Sequence, residues 1–230
     1  DDLLDGGAAH MGKAVKNLHR LNPDLLVETL VGDFGGRKRD IRTMVESGPD
    51  VFAHNIEVPR RLTPFIRDQR CNYNLSLGVL RQAKELAPDR FVKSSIMVGM
   101  GETDDEILET MRDLRSVGVD IVTLGQYLRP TPKHAAVARF VPPETFAEYE
   151  RAGLEMGFPF VASGPLVRSS YHAAEGFVEA RLREGRAPSP TRAGSDELAG
   201  DGLRAAGETV PLIPASSLVR GNRVETGVES

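Results

Sequence analysis

One cysteine, Cys71, is all the thiol chemistry that this 230-residue chain carries. An internal disulfide is therefore excluded, and a reducing cytoplasm is the natural compartment. A cubane iron–sulfur cluster held by this chain's own thiolates is excluded too, because no Cys-x-x-x-Cys-x-x-Cys run is present. No apolar stretch nears the roughly 20 residues of a membrane-spanning helix. The first residues, Asp1 and Asp2, are too acidic for a secretory signal. A basic excess is also missing. The formal net charge is −4, which argues against a nucleic acid or a membrane surface as the partner. Aromatic residues stop at Phe177. The stretch 187–230, opening with Ala187-Pro-Ser-Pro-Thr-Arg-Ala-Gly-Ser195, can bury too little apolar surface to offset the entropy of ordering. It is expected to be a disordered tail.

What the chain does have is enough apolar content, 40%, for one substantial core. Short β-branched segments alternate with helical patterns. The strand candidates are Leu25–Val31, Val51–Ile56, Phe91–Val98 and Asp120–Leu124, with a possible fifth at Phe158–Ala162. Helical spacing falls near Gly36–Glu46, Tyr73–Leu86 and Thr103–Val117. The last is the most sharply defined. Thr103 with Glu106 forms a capping box, Ile107, Leu108, Met111, Leu114 and Val117 make one apolar stripe, and Gly118 stops the helix. Such alternation predicts an α/β fold with a parallel sheet. Four strand candidates end in polar or glycine-rich turns: Gly32-Asp-Phe-Gly-Gly36, His54-Asn-Ile-Glu57, Gly99-Met-Gly-Glu102 and Gly125-Gln-Tyr127. Barrels place their chemistry at those ends, so a TIM-like (β/α) barrel is expected. Four or five strands do not close one, and a chain beginning Asp-Asp rather than Met is expected to be a fragment whose missing part precedes Asp1.

Four segments carry candidate chemistry. Asn55 and Glu57 alternate with His54 and Ile56, so they share one strand face and can together hold ribose hydroxyls and an amino group. Ser95-Ile-Met-Val-Gly-Met-Gly-Glu102 lets a flat ligand approach the backbone at Gly99 with Met97 beside it; a tight turn is its plain structural alternative. Gln126 can bond a base edge and Tyr127 can wall a pocket. His134, further along the same Pro-containing loop, is a substrate-side candidate or a surface residue. In Arg168-Ser-Ser-Tyr171, Arg168 suits a substrate carbonyl or carboxylate or a structural ion pair. A serine at such a turn suits a helix cap. His10, His19 and Cys71 lack partners at metal spacing and read as ordinary helix residues.

Taken together, Asp1-Asp-Leu-Leu-Asp-Gly-Gly-Ala8, His54–Glu57, Ser94–Glu102, Thr123–His134 and Arg168–Tyr171 resemble the C-terminal part of lipoyl synthase, a radical S-adenosylmethionine family. The resemblance runs from Asp1 to about Arg186. It implies a partial radical S-adenosylmethionine barrel over 1–186 with a C-terminal extension, and insertion of two sulfurs into a protein-bound octanoyl-lysine. It further implies two [4Fe–4S] clusters and S-adenosylmethionine as cofactors. Octanoylated lipoyl-domain proteins or the glycine cleavage H protein would be substrates, and a ferredoxin or flavodoxin the electron donor. By the same resemblance Asn55, Glu57, Met97, Gly99 and Gln126 face S-adenosylmethionine, Ser170 (with Ser169 as the second candidate) ligates the auxiliary cluster, and Arg168 and His134 are candidates for the substrate side. The chain departs from the family pattern at Ser95, where glycine is usual, and at Val58-Pro-Arg-Arg61. The family's cysteines precede its Asp-Asp-Leu segment, so none is present here. The alternative is a non-catalytic half-barrel that docks lipoyl-domain proteins or a separate N-terminal chain.

Overall fold

The computed structural model describes residues 3–169 and residue 178. Five parallel strands lie in chain order, β1 (Glu28–Leu30), β2 (Val51–Ala53), β3 (Phe91–Val98), β4 (Ile121–Gln126) and β5 (Phe160–Gly164). The helices are α1 (Ala8–Leu21), α2 (Lys38–Val45), α3 (Thr63–Ile66), α4 (Tyr73–Leu86), α5 (Asp104–Ser116) and α6 (Pro143–Glu155). The predicted α/β class with a parallel sheet is what forms.

Alternation along each strand divides its residues between two faces. Phe52, Val92, Ile96, Val98, Val122, Leu124 and Val161 face one way and join Ile41, Met44, Leu80, Met111 and Phe146 of the helices in the main core. On the opposite face, Val51, Ile121 and Val178 form a small apolar plug at the strands' amino ends. Above that plug the face turns polar. Lys93, 3% exposed at its side chain, reaches both carboxylate oxygens of Glu28 at 2.8 Å, and Thr123 Oγ1 lies 2.9 Å from Ser95 Oγ. A buried ammonium is tolerated where a carboxylate pairs with it, as Glu28 does here.

α5 begins and ends as its sequence predicts. Thr103 Oγ1 accepts from the Glu106 amide, and Glu106 accepts from the Thr103 amide. Gly118 takes φ +87°, where an added Cβ would stand 2.7 Å from Lys84 Cγ. β2 is shorter than its apolar pattern, and the cause is a side chain. The Ser94 hydroxyl accepts the Ile56 amide proton at 3.1 Å, taking the place of a backbone rung. α2 starts at Lys38 rather than Gly36, since Phe34, Gly35 and Gly36 all have positive φ. α3 and α6 carry proline near their starts, where its missing N–H costs nothing. The sequence reading named neither.

Candidate functional site

Because the strands are parallel, their carboxyl ends share one rim, and most of the predicted site residues are there. Past Ala53 the chain stays fastened to β3: Glu57 donates its amide to Ser95 O at 3.0 Å, and its carbonyl accepts the Met97 amide at 2.7 Å. This clamp holds Glu57 at φ +68°, a left-handed conformation unfavourable for a glutamate. Such strain persists where surrounding contacts over-determine it, and it clusters at functional sites. Asn55 and Glu57 are both half-buried at this rim, with the Asn55 amide near enough to favour the ionised Glu57 carboxylate. Burial pushes the Glu57 carboxyl above the ordinary glutamate range, while Asn55 and the Arg67 charge pull it back.

His54, one residue earlier, points into the opposite face and is buried. Its Nδ1 donates to Val31 O at 2.9 Å, so Nε2 accepts from the Ser76 hydroxyl at 3.0 Å. Ser76 Oγ in turn accepts from Arg67 Nη1 at 2.8 Å. Burial holds the imidazole below its usual range and therefore neutral. His54 thus ties β2 to β1 and α4 rather than offering a ligand.

The turn after β3 is closed by its own carboxylate. Glu102 accepts from the Gly99 amide at 2.6 Å and the Met100 amide at 2.8 Å. Gly99 has φ +100°, and a Cβ there would stand 2.3 Å from Gln126 Nε2 and 2.5 Å from Arg139 O. Gln126 is itself fully engaged. Its amide nitrogen donates to Tyr127 O and Arg139 O, and Oε1 accepts the Val141 amide at 2.9 Å. It reaches a ligand only by exchanging one of these bonds. Met97 is half-buried and packs with Val58, Leu62, Met100 and Tyr127 in an apolar cluster at the rim.

Arg168 arrives beside this group and donates to Val167 O at 2.9 Å and to Gln126 O at 3.5 Å. Gly125 makes that arrival possible, because a Cβ there would stand 2.2 Å from the Val167 carbonyl oxygen. His134 is exposed, and its bonds stay within its own loop: Nδ1 to Thr131 Oγ1 at 2.9 Å and its carbonyl to Arg129. Ser170 lies outside the described residues, as does the stretch 187–230. Among the described residues no group of three or more His, Cys, Asp or Glu side chains is placed to hold a metal ion. Nor is any helix there long and apolar enough to cross a membrane. Sequence reasoning missed the roles of Glu102, Arg67 and Arg139. Glu102 was legible, since a carboxylate three residues beyond a left-handed glycine is placed to accept its amide. Arg139 carries no local signal, being 40 positions from Gly99 in the chain.

Glu57 gives a prediction with a defined sign. Burial disfavours the ionised carboxylate, so the folded state holds this proton more tightly than the unfolded chain. Stability from this group is therefore full below the ordinary glutamate pKa and is lost as pH rises through the raised value. Glu57→Gln should gain stability over wild type near about pH 7 and show no gain near about pH 4. Urea midpoints across that range test it. An equal difference at both ends would contradict the assigned burial.

No protein-family model matches the sequence. The chain is 59% identical over 209 residues to lipoyl synthase of Sorangium cellulosum, covering 85% of this chain and 56% of that protein. It is 54% identical to lipoyl synthase of Thermus thermophilus, covering 80% of this chain and 57% of that one. With the mitochondrial lipoyl synthase of Yarrowia lipolytica it shares 53%, over 80% of this chain and 52% of that one. Among solved structures, a 2,3-dimethylmalate lyase aligns with a TM-score of 0.41 at 16% identity, over 78% of this chain and 59% of that one. The Bacillus subtilis HMG-CoA lyase aligns at 0.40 and 14%, over 76% and 67%. Both alignments are too loose to carry an argument. The sequence relatives decide the matter: this chain belongs to the lipoyl synthase family and spans about half the length of the curated relatives it matches.

Proposed function

We propose that the chain supplies the S-adenosylmethionine-facing half of a lipoyl synthase, its five parallel strands being a sector of an incomplete TIM-like barrel of the radical S-adenosylmethionine type. The observation that carries this reading is the rim itself. Asn55 and Glu57 present a paired amide and carboxylate, Met97 an apolar wall, and Gly99 a backbone stripped of side chain, all at the carboxyl ends of adjacent strands.

S-adenosylmethionine fits these residues. Asn55 and Glu57 would hold its hydroxyl and amino groups, and Met97 would receive its flat base beside the Gly99 turn, whose side-chain space Gln126 and Arg139 fill. Gln126 would join them from behind the Gly99 turn. When bound in a complete enzyme, the cofactor supplies the hydrogen abstraction that precedes sulfur insertion. The [4Fe–4S] clusters do not fit this chain, whose donor set is the single half-buried Cys71. The thiolates would come from elsewhere, and Ser170 would add an oxygen ligand to the auxiliary cluster. Arg168 and His134 would face an octanoyl-lysine on a lipoyl-domain protein or the glycine cleavage H protein, with a ferredoxin or flavodoxin as reductant. A reducing cytoplasm suits such chemistry. The lone cysteine also favours a second reading, a half-barrel that docks lipoyl-domain proteins without turnover.

The two readings separate when the cysteine-bearing part of a relative is supplied. The complex should convert octanoyl-lysine peptide to lipoyl peptide. Ser170→Ala should lower lipoyl formation roughly a hundredfold or more and leave 5′-deoxyadenosine formation running, with Ser169→Ala as the control. Peptide binding without either product would support the docking reading and sink the enzymatic one.

A further inference from the structure

We infer that Arg139 is the positioning residue of this rim, the group that holds the Gly99 turn and Gln126 in one arrangement. The cofactor part of this inference rests on the reading of the rim given above; the positioning part does not.

Arg139 meets every piece of the turn. Its amide donates to Gly99 O at 3.3 Å, and its carbonyl accepts from Gln126 Nε2 at 3.1 Å. The same carbonyl stands where a Gly99 side chain would begin. Its guanidinium then crosses to the start of α5. Nη2 donates to Asp104 Oδ1 at 2.6 Å and lies 3.5 Å from the Tyr149 hydroxyl. It also lies 3.8 Å from Glu102 Oε1, the oxygen that accepts the Gly99 amide. Tyr149 donates to Asp104 Oδ1 at 2.6 Å, so α6 is drawn into the same cluster.

Three elements separated in sequence, the β3–α5 turn, the end of β4 and α6, are therefore joined through one residue. All three side-chain contacts run through the one Nη2 nitrogen, a charge-assisted donor shared among Asp104, Tyr149 and Glu102. The arrangement is not the one that stability alone would select. Arg139 Nε is buried with no acceptor among the described residues, and a buried unmet donor is destabilising. Gln126 extends the argument. Since its amide is bonded to Arg139 O and to the Val141 amide, where it can present itself depends on where Arg139 is held. Arg139 touches no reacting atom in this account; it acts through Gly99, Glu102 and Gln126.

The test uses the full 230-residue chain, with amide hydrogen exchange read residue by residue and S-adenosylhomocysteine titrated calorimetrically. Arg139→Gln should speed exchange at the Gly99 and Met100 amides roughly tenfold or more, the scale of one lost charge-assisted hydrogen bond, while the remaining β3 amides keep their rates. Arg139→Lys should fall between wild type and Arg139→Gln, and it carries the test if the glutamine variant does not fold. Ile41→Val, which loosens the main core from α2, is the structural control. Uniform acceleration in Arg139→Gln, as in Ile41→Val, would overturn the inference, and so would unchanged rates at Gly99 and Met100. A parallel tenfold loss of S-adenosylhomocysteine affinity would support both the positioning role and the cofactor reading. Selective acceleration in a chain whose wild type binds no S-adenosylhomocysteine would uphold the positioning role and remove the cofactor reading.

Discussion

Gly125→Ala is expected to stop lipoyl formation while leaving S-adenosylmethionine cleavage in place. The new methyl would stand 2.2 Å from Val167 O and 3.1 Å from Val167 C. Both are backbone atoms, which cannot swing aside as a side chain does. Either β4 or the segment after β5 must shift. β4 is the better anchored, being paired on both sides by β3 and β5, so the segment carrying Val167, Arg168 and Ser169 should yield. A displacement of about 1 Å near reacting groups costs on the order of a hundredfold in rate. The stability cost of such overpacking is about 1–3 kcal/mol. The segment meets the cofactor-side residue Gln126 through its backbone carbonyl, while the Gln126 side-chain amide is held by Arg139 and Val141, so cofactor cleavage should survive. In a complex completed with the cysteine-bearing part, 5′-deoxyadenosine and lipoyl peptide are assayed separately. Gly164→Ala is the matched control, because among the described residues its Cβ would meet only the movable Val167 Cγ2, at 3.3 Å. Equal loss of both products in Gly125→Ala would place the damage in the sheet; full retention of both would remove the segment after β5 from the site.

The second large effect is a failure to load. The 230-residue chain, reconstituted anaerobically by itself, should take up no cubane cluster. A cubane iron needs a thiolate or an equivalent donor at most of its corners, and the chain holds one cysteine. Cys71 is half-buried in the Arg70-Cys71-Asn72 turn before α4 and is a free thiol. Cys71→Ser should therefore change nothing in this assay. Adding the cysteine-bearing part of a relative should restore uptake. About four irons and four sulfides on the unaided chain, with a defined cluster spectrum, would refute the expectation and require donors outside those recognised here.

What was legible in the sequence is what local interactions decide. α5 forms where Thr103, Glu106, the apolar stripe and Gly118 place it, because a capping box and a 3.6-residue period act within one helix. β3 spans Phe91–Val98 as read, since eight extended residues buried on both faces leave little else to choose. The alternation of strands and helices likewise specified parallel pairing, and with it the common rim of polar strand ends. The glycines of that rim were visible as glycines.

What those glycines are for was decided only in three dimensions. Gly99 is required by Gln126 and Arg139, and Gly125 by Val167, contacts that span between 27 and 42 positions of chain. No local pattern encodes them, because the partner atoms are backbone carbonyls or a side-chain amide whose position depends on sheet register. The same holds for the early end of β2, where Ser94 of the neighbouring strand takes the Ile56 amide, and for the left-handed Glu57 clamped by Ser95 and Met97. Gln126 shows the difference most plainly. Residue type offered a free amide for a ligand, and tertiary contacts with Arg139 and Val141 engaged that amide within the protein, because a buried donor or acceptor left unpaired costs more than the freedom it would keep.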